Sequence, residues 1–112
     1  MLKKEILRRK DDFAKIYKRG KSIGERYIVL FYRKNNLSYN RTAFLASKKV
    51  GNSVKRNRAR RLMKENYRFL WENIKDGYDL IFIARNTINE KKVFDVEKSM
   101  KRALAKAKLF KD

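Results

Sequence analysis

Residues 42–84 read TAFLASKKVGNSVKRNRARRLMKENYRFLWENIKDGYDLIFIA, and this stretch decides the fold. Its two ends, Thr42–Ser47 and Tyr78–Ala84, are apolar runs typical of strands, and the second is apolar enough to be central. Between them the pattern predicts a long helix, capped at Asn52 or Ser53 and ending near residue 74. The strand-helix-strand order predicts two parallel strands, joined by a crossover that is right-handed in about 98% of proteins.

The residues before this stretch predict further strands. Tyr27–Tyr32 is an apolar strand candidate, and the polar loop 33–40 that follows it suits an antiparallel hairpin with Thr42–Ser47. Ser22–Gly24 could add a short strand in front. These segments would place antiparallel and parallel pairs in one small mixed sheet.

Helical patterns flank these strands on both sides. Asp11 or Asp12 can cap a first helix that Gly20 ends, and Asp95 can cap a last one. Residues 1–10 form a basic arm that apolar side chains could anchor to the body, namely Leu2, Ile6 and Leu7. The order α-β-β-α-β-α predicts an α/β (α+β) two-layer sandwich in one domain spanning residues 1–112.

The composition narrows the function. The 112 residues carry 32 Lys+Arg against 12 Asp+Glu, a net charge of +20, with no Cys and no His. Cysteine-based zinc sites and imidazole bases are therefore excluded. No run approaches the ~18 apolar residues of a membrane span, and the N-terminus lacks a signal-peptide core. We expect a cytoplasmic protein that binds a polyanion, nucleic acid before an anionic membrane, rather than a merely solvated basic surface.

The most informative segment is Lys48–Lys64, which contains eight basic residues and no acid. At about 100° per residue, Ala59, Leu62, Met63, Tyr67 and Leu70 share one face of the predicted helix. The opposite face carries a cationic ridge of Asn57, Arg61, Lys64 and Arg68. Guanidinium groups bind phosphate in two-pronged fashion, and the Gly51–Ser53 turn supplies free backbone N–H groups. A solvated helix face is the alternative, but no acids are spaced to pair with the ridge.

Two further patterns have more than one interpretation. Phe13, Ile16 and Tyr17 share a face of the first helix, which taken alone favours an ordinary core stripe. Exposed aromatic side chains would instead suit single-stranded RNA, because stacking tolerates any base. The acids form no obvious active site: Asp76 and Asp79 flank a turn, and a metal-dependent nuclease needs converging carboxylates.

The basic block has a specific resemblance. Lys48-Lys49-Val50-Gly51-Asn52, followed by Arg56-Asn57-Arg58-x-Arg60-Arg61-Leu62, closely resembles the RNR signature of the bacterial ribonuclease P protein family. The resemblance extends to Asp12-Phe13-x-x-Ile16-Tyr17-x-x-Gly20 and to Tyr78–Arg85, and so covers nearly the whole chain. It implies a left-handed βαβ crossover in place of the right-handed default.

The resemblance also implies a function. In that family a large RNA cleaves the 5′ leader from precursor tRNA, and Mg²⁺ or another divalent metal is bound mainly by RNA. The expected partners are the catalytic RNA and precursor tRNA, with no DNA and no membrane, and the polypeptide supplies no catalytic residue. The alternative is a structural RNA-binding protein of the ribosomal type, which would share the size and charge.

The resemblance implies roles for particular residues as well. The expected contacts with the catalytic RNA are Lys48, Lys49, Asn52, Arg56, Asn57, Arg58, Arg60, Arg61, Lys64 and Arg68. Phe13, Tyr17 and Phe31 match the aromatic cleft that binds the leader. Phe31 stands where the family often has Tyr, so a stacking face remains but the hydroxyl is lost.

Overall fold

The computed structural model describes all 112 residues and contains three α-helices and four β-strands. In chain order the elements are α1 (Lys10–Arg19), β1 (Lys21–Gly24), β2 (Ile28–Lys34), β3 (Arg41–Leu45), α2 (Ser53–Leu70), β4 (Tyr78–Ala84) and α3 (Val93–Lys106). Short 3₁₀ turns span Lys3–Glu5, Trp71–Asn73 and Asn86–Ile88. The predicted α+β class and the extra strand β1 are confirmed. None of the helices combines the length and apolar character needed to cross a bilayer.

The four strands form one mixed sheet in the order β1-β2-β4-β3. Strand β4 pairs antiparallel with β2 and parallel with β3, which confirms the predicted parallel pair. The predicted hairpin between β2 and β3 is wrong, because β4 lies between them. Most of β4 is buried, so its backbone groups cannot reach water and need a strand on each side. The hairpin is instead formed by β1 and β2. The left-handed crossover stays a prediction.

The two faces of the sheet are covered unequally. Helices α2 and α3 pack on one face and build the larger core, around Leu30, Phe82, Met63 and Met100. Helix α1 packs on the opposite face, where a smaller cluster contains Leu7, Ile16, Ala43 and Ile81. The two-layer sandwich therefore gains a partial third layer. Because α1 is a single short helix, part of this face stays uncovered, and a cleft remains beside it.

Two contacts hold α1 across the sheet. At its start, the Leu7 N–H donates to the Thr42 carbonyl at 3.0 Å, and the Leu7 side chain is buried. Of the three predicted anchors of the arm, only Leu7 is buried. At its end, a Cβ built on Gly20 would lie 2.5 Å from the Ile16 carbonyl oxygen and 2.6 Å from that of Tyr32. Gly20 thus ends the helix as predicted, and it lets the helix end approach β2 closely.

The helix starts follow the predictions only in part. Asn52 caps α2 as predicted, since its side chain accepts a backbone N–H bond at 3.0 Å from the residue three positions on. Helix α1 begins at Lys10, two or three residues earlier than a cap at Asp11 or Asp12 implies, so both aspartates lie in its first turn, where carboxylates favour the helix dipole. Asp95 is the third residue of α3 and still accepts the Lys92 N–H at 3.0 Å. Helix α2 ends at Leu70, and a 3₁₀ turn continues it to Asn73.

Candidate nucleic-acid interface

The start of α2 is a positively charged corner. Gly51 takes a φ of +140°, a conformation that side chains disfavour, and lets the chain turn into the helix. The first turn of α2 contains no acidic residue. The partial positive charge of the helix start is therefore not neutralised within the protein, and Lys48 and Lys49 beside it are exposed. The Gly51 N–H is not free as predicted, because it donates to the Lys48 carbonyl at 3.1 Å. The corner can bind an anion through its exposed lysines and the start of the helix.

The face of α2 is divided as the helical periodicity predicts. The predicted inner residues are buried, namely Ala59, Leu62, Met63, Tyr67 and Leu70. The predicted outer residues are exposed, namely Asn57, Arg61, Lys64 and Arg68. We call these four the ridge. Asn66 was missed: it is buried, and its side-chain amide donates to the Leu62 carbonyl at 3.1 Å and to the Val93 carbonyl at 3.2 Å.

Not every arginine of the block is free. Arg56, Arg58 and Arg60 are half-buried, and the Arg58 guanidinium donates to the backbone carbonyl of Lys91. The Asn89 side chain donates to the Val50 carbonyl at 2.7 Å. These two bonds tie the loop before α3 to the start of α2. Arg58 therefore has a structural partner that no local sequence signal revealed.

The basic residues from Lys48 to Lys64 have no carboxylate partners. The expectation that no acid pairs with the ridge is wrong at one residue, because Arg68 lies 3.8 Å from Glu65, three positions earlier in α2. Both side chains are largely exposed, so the pair contributes little. None of the ion pairs in the molecule involves residues 48–64. The surface from Lys48 to Lys64 consequently faces solvent as an unneutralised cationic strip.

A second surface is the cleft between α1 and the uncovered sheet face. Its wall is aromatic: the ring centroids of Phe13 and Tyr17 lie 6.4 Å apart, and those of Tyr17 and Phe31 lie 5.0 Å apart, edge to face. Tyr17 is 44% exposed, whereas Ile16 between the two aromatic residues is fully buried. The predicted stripe of Phe13, Ile16 and Tyr17 therefore contributes Ile16 to the core and its two aromatic residues to the cleft. Partial burial raises the pKa of Tyr17, so its hydroxyl stays protonated near neutral pH.

The floor of the cleft is apolar. Val29, Ile83 and Leu45 lie in one row across β2, β4 and β3, on the same face as Phe31. All three are only partly buried. Leu45 ends β3, and the Lys48-Lys49 corner begins three residues later in the chain. The cleft floor thus runs toward the start of α2, which places the aromatic and cationic surfaces side by side.

An ion cluster that was not predicted from the sequence fixes α1 over the sheet. Arg41 donates to both carboxylate oxygens of Asp79, at 2.8 and 2.7 Å, and to Asp12 of α1 at 3.2 Å. The hydrogen bonding that Asp79 accepts from Arg41 is the main reason that the pKa of Arg41 is raised, and the guanidinium stays charged. The Asp79 side chain is 4% exposed. A charged residue inside an apolar strand was the available signal.

The acids do not converge elsewhere. No three acidic side chains form a group that could hold a metal ion. The two buried or half-buried aspartates of the cleft, Asp12 and Asp79, are both engaged by Arg41. The arrangement is suited to binding a phosphate backbone and unpaired bases.

Comparison with known proteins gives a consistent result. The chain matches the family model described as Ribonuclease P over residues 1–108. It is 46% identical over 110 residues to the ribonuclease P protein component of Clostridium botulinum strain Langeland, covering 97% of this chain and 99% of the relative. The corresponding protein of Thermoanaerobacter sp. strain X514 is 42% identical over 99 residues, covering 88% and 85%.

Two solved structures share the fold. The RNase P protein of Staphylococcus aureus superposes with a TM-score of 0.86 at 30% identity, covering 96% of this chain and 98% of that one. The RNase P protein of Thermotoga maritima superposes with a TM-score of 0.82 at 29% identity, covering 91% and 96%.

Proposed function

The chain belongs to the ribonuclease P protein family, the protein component of the ribonucleoprotein that processes the 5′ end of tRNA, and from this premise we propose a division of its surface between two RNAs. The α2 surface binds the RNA subunit of the enzyme. The aromatic cleft binds the 5′ leader of precursor tRNA. One observation carries the proposal: an unpaired cationic helix face and an aromatic cleft adjoin on one small domain.

The RNA-subunit surface is argued from charge. Each phosphate that Lys or Arg neutralises releases counterions, which favours binding at low salt. The proposed contacts are Lys48, Lys49, Asn52, Arg56, Asn57, Arg60, Arg61, Lys64 and Arg68. Arg58 acts mainly by holding the loop that ends at Lys92, since its guanidinium is bonded to the Lys91 carbonyl. Because the block contains no acid, every exposed member can meet a phosphate.

The leader cleft is argued from stacking. Leaders differ in sequence, and base–aromatic stacking contributes about 1–3 kcal/mol per base whatever the base is. Phe13, Tyr17 and Phe31 present such faces beside an apolar floor. Phe31 has no hydroxyl, so its contribution is stacking alone. The cleft would therefore hold single-stranded RNA without reading its sequence.

The chemistry of cleavage is assigned to the RNA. The chain has no His and no Cys, and its acids form no group that fits a metal ion. Mg²⁺ bound mainly by RNA phosphates would supply the Lewis acid for phosphodiester hydrolysis. The protein binds and orients the two RNAs and screens their charges. Its net charge of +20 lowers the repulsion between the RNA subunit and the precursor tRNA, which are both polyanions. We place this work in the cytoplasm.

Reconstitution tests the division of labour. The protein, transcribed RNA subunit, precursor tRNA and Mg²⁺ are combined at moderate salt, and 5′ cleavage is measured with each component left out. We expect efficient cleavage only when both subunits are present, and none from the polypeptide alone. Cleavage by the polypeptide alone, or no stimulation of the RNA, would contradict the proposal.

A matched pair of variants tests the cleft within the holoenzyme. Tyr17→Ala should lower affinity for leader-bearing precursor about tenfold relative to mature tRNA, because one stacking face is lost. Phe94→Ala removes an aromatic side chain that is 62% exposed on α3, away from the cleft, and should change neither affinity. Equal losses of affinity for both ligands with Tyr17→Ala would instead indicate that Tyr17 is a core residue and not a leader contact.

A further inference from the structure

A groove runs along the free edge of β3, outside the cleft. Strand β3 is at the edge of the sheet, and beyond it only a single bridge joins Thr42 to Ile6 of the N-terminal arm. The space between the arm, α1 and α2 has a volume of about 810 Å³. Pockets that bind small ligands measure roughly 300–1,000 Å³, so the groove can take a group as large as a nucleotide.

The wall of the groove combines aromatic and cationic side chains. Lys64 and Arg68 of the ridge line it, and Trp71 continues the same helical stripe at its end. Trp71 is 50% exposed, and no ring in the molecule stacks on it. Tyr39 also lines the groove, with the Lys4 ammonium 4.4 Å from its ring centroid. Such a mixture is typical of surfaces that bind single-stranded nucleic acid.

Two acids also line the groove. Glu5 accepts a hydrogen bond from the backbone N–H of Leu2 at 2.6 Å, so it is engaged within the arm. Asp76 lies in the turn before β4 and forms no ion pair. Lys64 and Arg68 face them from α2, and Lys4 is the neighbour of Glu5. The acidic and basic side chains along the groove therefore nearly cancel in charge, and the aromatic side chains beside them stay at least partly exposed.

The groove is continuous with the cleft. Phe13 belongs to both, since it pairs with Tyr17 in the cleft and lines the groove on its other side. Ala43 and Leu45, on the cleft face of β3, line the groove as well. Its far end is marked by Asn40 and Asp76, which precede β3 and β4. That end lies at the opposite end of the parallel strands from the Lys48-Lys49 corner.

We infer that this groove binds nucleotides of the 5′ leader upstream of those in the cleft, with Trp71 as a stacking platform. The inference rests on the proposed function, in which the cleft holds the leader and adjoins the start of α2. A leader strand that passes Phe31, Tyr17 and Phe13 then leaves the cleft beside the groove. A single domain that binds single strands covers about 4–16 nucleotides, so an extended path is of ordinary length.

The test is a leader-length series with the holoenzyme. Precursor tRNAs with leaders of about 3 and about 12 nucleotides are compared, the shorter reaching only the cleft. Trp71→Ala should lower affinity for the long-leader precursor about tenfold and leave the short-leader affinity unchanged, and Trp71→Phe should restore most of the loss. Phe94→Ala is the control: Phe94 is 62% exposed on α3 and does not line the groove.

A direct signal is available because Trp71 is the only tryptophan in the chain. Its fluorescence in the unmodified holoenzyme should change on binding the long-leader precursor and not the short one. Equal effects of Trp71→Ala and Phe94→Ala on the long-leader precursor would overturn the inference. So would a loss that falls equally on binding of the RNA subunit, since the groove would then hold that RNA. If Tyr17→Ala lowers the affinity for both precursors while Trp71→Ala lowers neither, leader binding in the groove is refuted and leader binding in the cleft is supported. If Tyr17→Ala has no leader-dependent effect, the proposed function fails.

Discussion

Arg58 and Arg61 offer a sharp test of how the basic block works. Both belong to the motif, and an interpretation based on the sequence treats them alike. The Arg58 side chain is half-buried and donates to the Lys91 carbonyl, whereas Arg61 is exposed and has no partner within the protein. Replacing each with alanine should therefore separate a structural tie from a phosphate contact.

The magnitudes follow from these contacts. A hydrogen bond from a charged group contributes about 1.5–3 kcal/mol, and partial exposure of Arg58 moves its value toward ~1–2 kcal/mol. A domain of this size loses roughly 4–8 °C of melting temperature per kcal/mol. We expect Arg58→Ala to lower the melting temperature by roughly 4–16 °C. Arg61→Ala should stay within about 0.5 kcal/mol of the parent, as exposed substitutions do.

The two variants should rank the other way for RNA binding, with the larger effect in Arg61→Ala. Each phosphate contact adds about 0.7–0.9 to the slope of log affinity against log salt. Arg61→Ala should lower the slope for the RNA subunit by that amount, and Arg58→Ala by clearly less. Filter binding over a salt series and thermal melts measure both quantities. A slope that falls by a full contact in Arg58→Ala, with its melting temperature unchanged, would refute the structural role and make Arg58 a phosphate ligand.

Three other predictions concern the frame around the cleft. Asp12→Asn should cost about 1–2 kcal/mol of stability and weaken leader binding, because it releases α1 from Arg41. Asp11→Asn removes an exposed pair at 3.4 Å and the same favourable charge at the helix start, so it should cost clearly less stability and leave leader binding unchanged. Gly20→Ala should cost about 1–3 kcal/mol in chemical denaturation, because its Cβ would lie 2.5 Å from a carbonyl oxygen, and a loss under ~0.5 kcal/mol would contradict the close approach. Burial raises the pKa of Tyr67, so the stability linked to its protonation is complete below the unfolded pKa of about 10 and is lost as pH rises above it. The stability difference between the parent and Tyr67→Phe should therefore shrink above about pH 10, and a constant difference would oppose this assignment.

The local elements were largely predictable from the sequence. Helical periodicity separates the buried Met63 from the exposed Arg61, and the predicted run Tyr78–Ala84 coincides with β4. These signals are local, because burial repeats every few residues along one element. Caps were less certain, since Asp11, Asp12 and Asp95 all suit a helix start, and the observed helices begin two or three residues before the predicted positions.

The sheet order was not predictable in the same way. The loop 33–40 suits a hairpin, and nothing between β2 and β3 indicates that a strand more than thirty residues downstream separates them. The deciding factor is the burial of β4, which requires pairing along both of its edges. That requirement concerns backbone hydrogen bonds formed across the chain, and it appears only when the whole domain is assembled.

The candidate site shows the same division. Exposure of the ridge follows from periodicity, but the partner of Arg58 is 33 residues away in the chain. The aromatic residues of α1 were ambiguous, because Ile16 and Tyr17 follow one spacing and differ only in what covers them. The groove at Trp71 needed the sheet order, since it exists only because β3 is an edge strand.

The few acids of the chain explain why the protein depends on its partner. Several are engaged in holding the fold: Asp12 and Asp79 bind Arg41, and Glu25 bridges to Lys106 at 2.6 Å and to Arg102 at 3.7 Å. None neutralises the strip from Lys48 to Lys64, so like charges there repel one another in the free protein. Phosphates of the RNA subunit supply the missing counter-charge. The charge distribution that stabilises the frame therefore also concentrates the driving force for assembly at the start of α2.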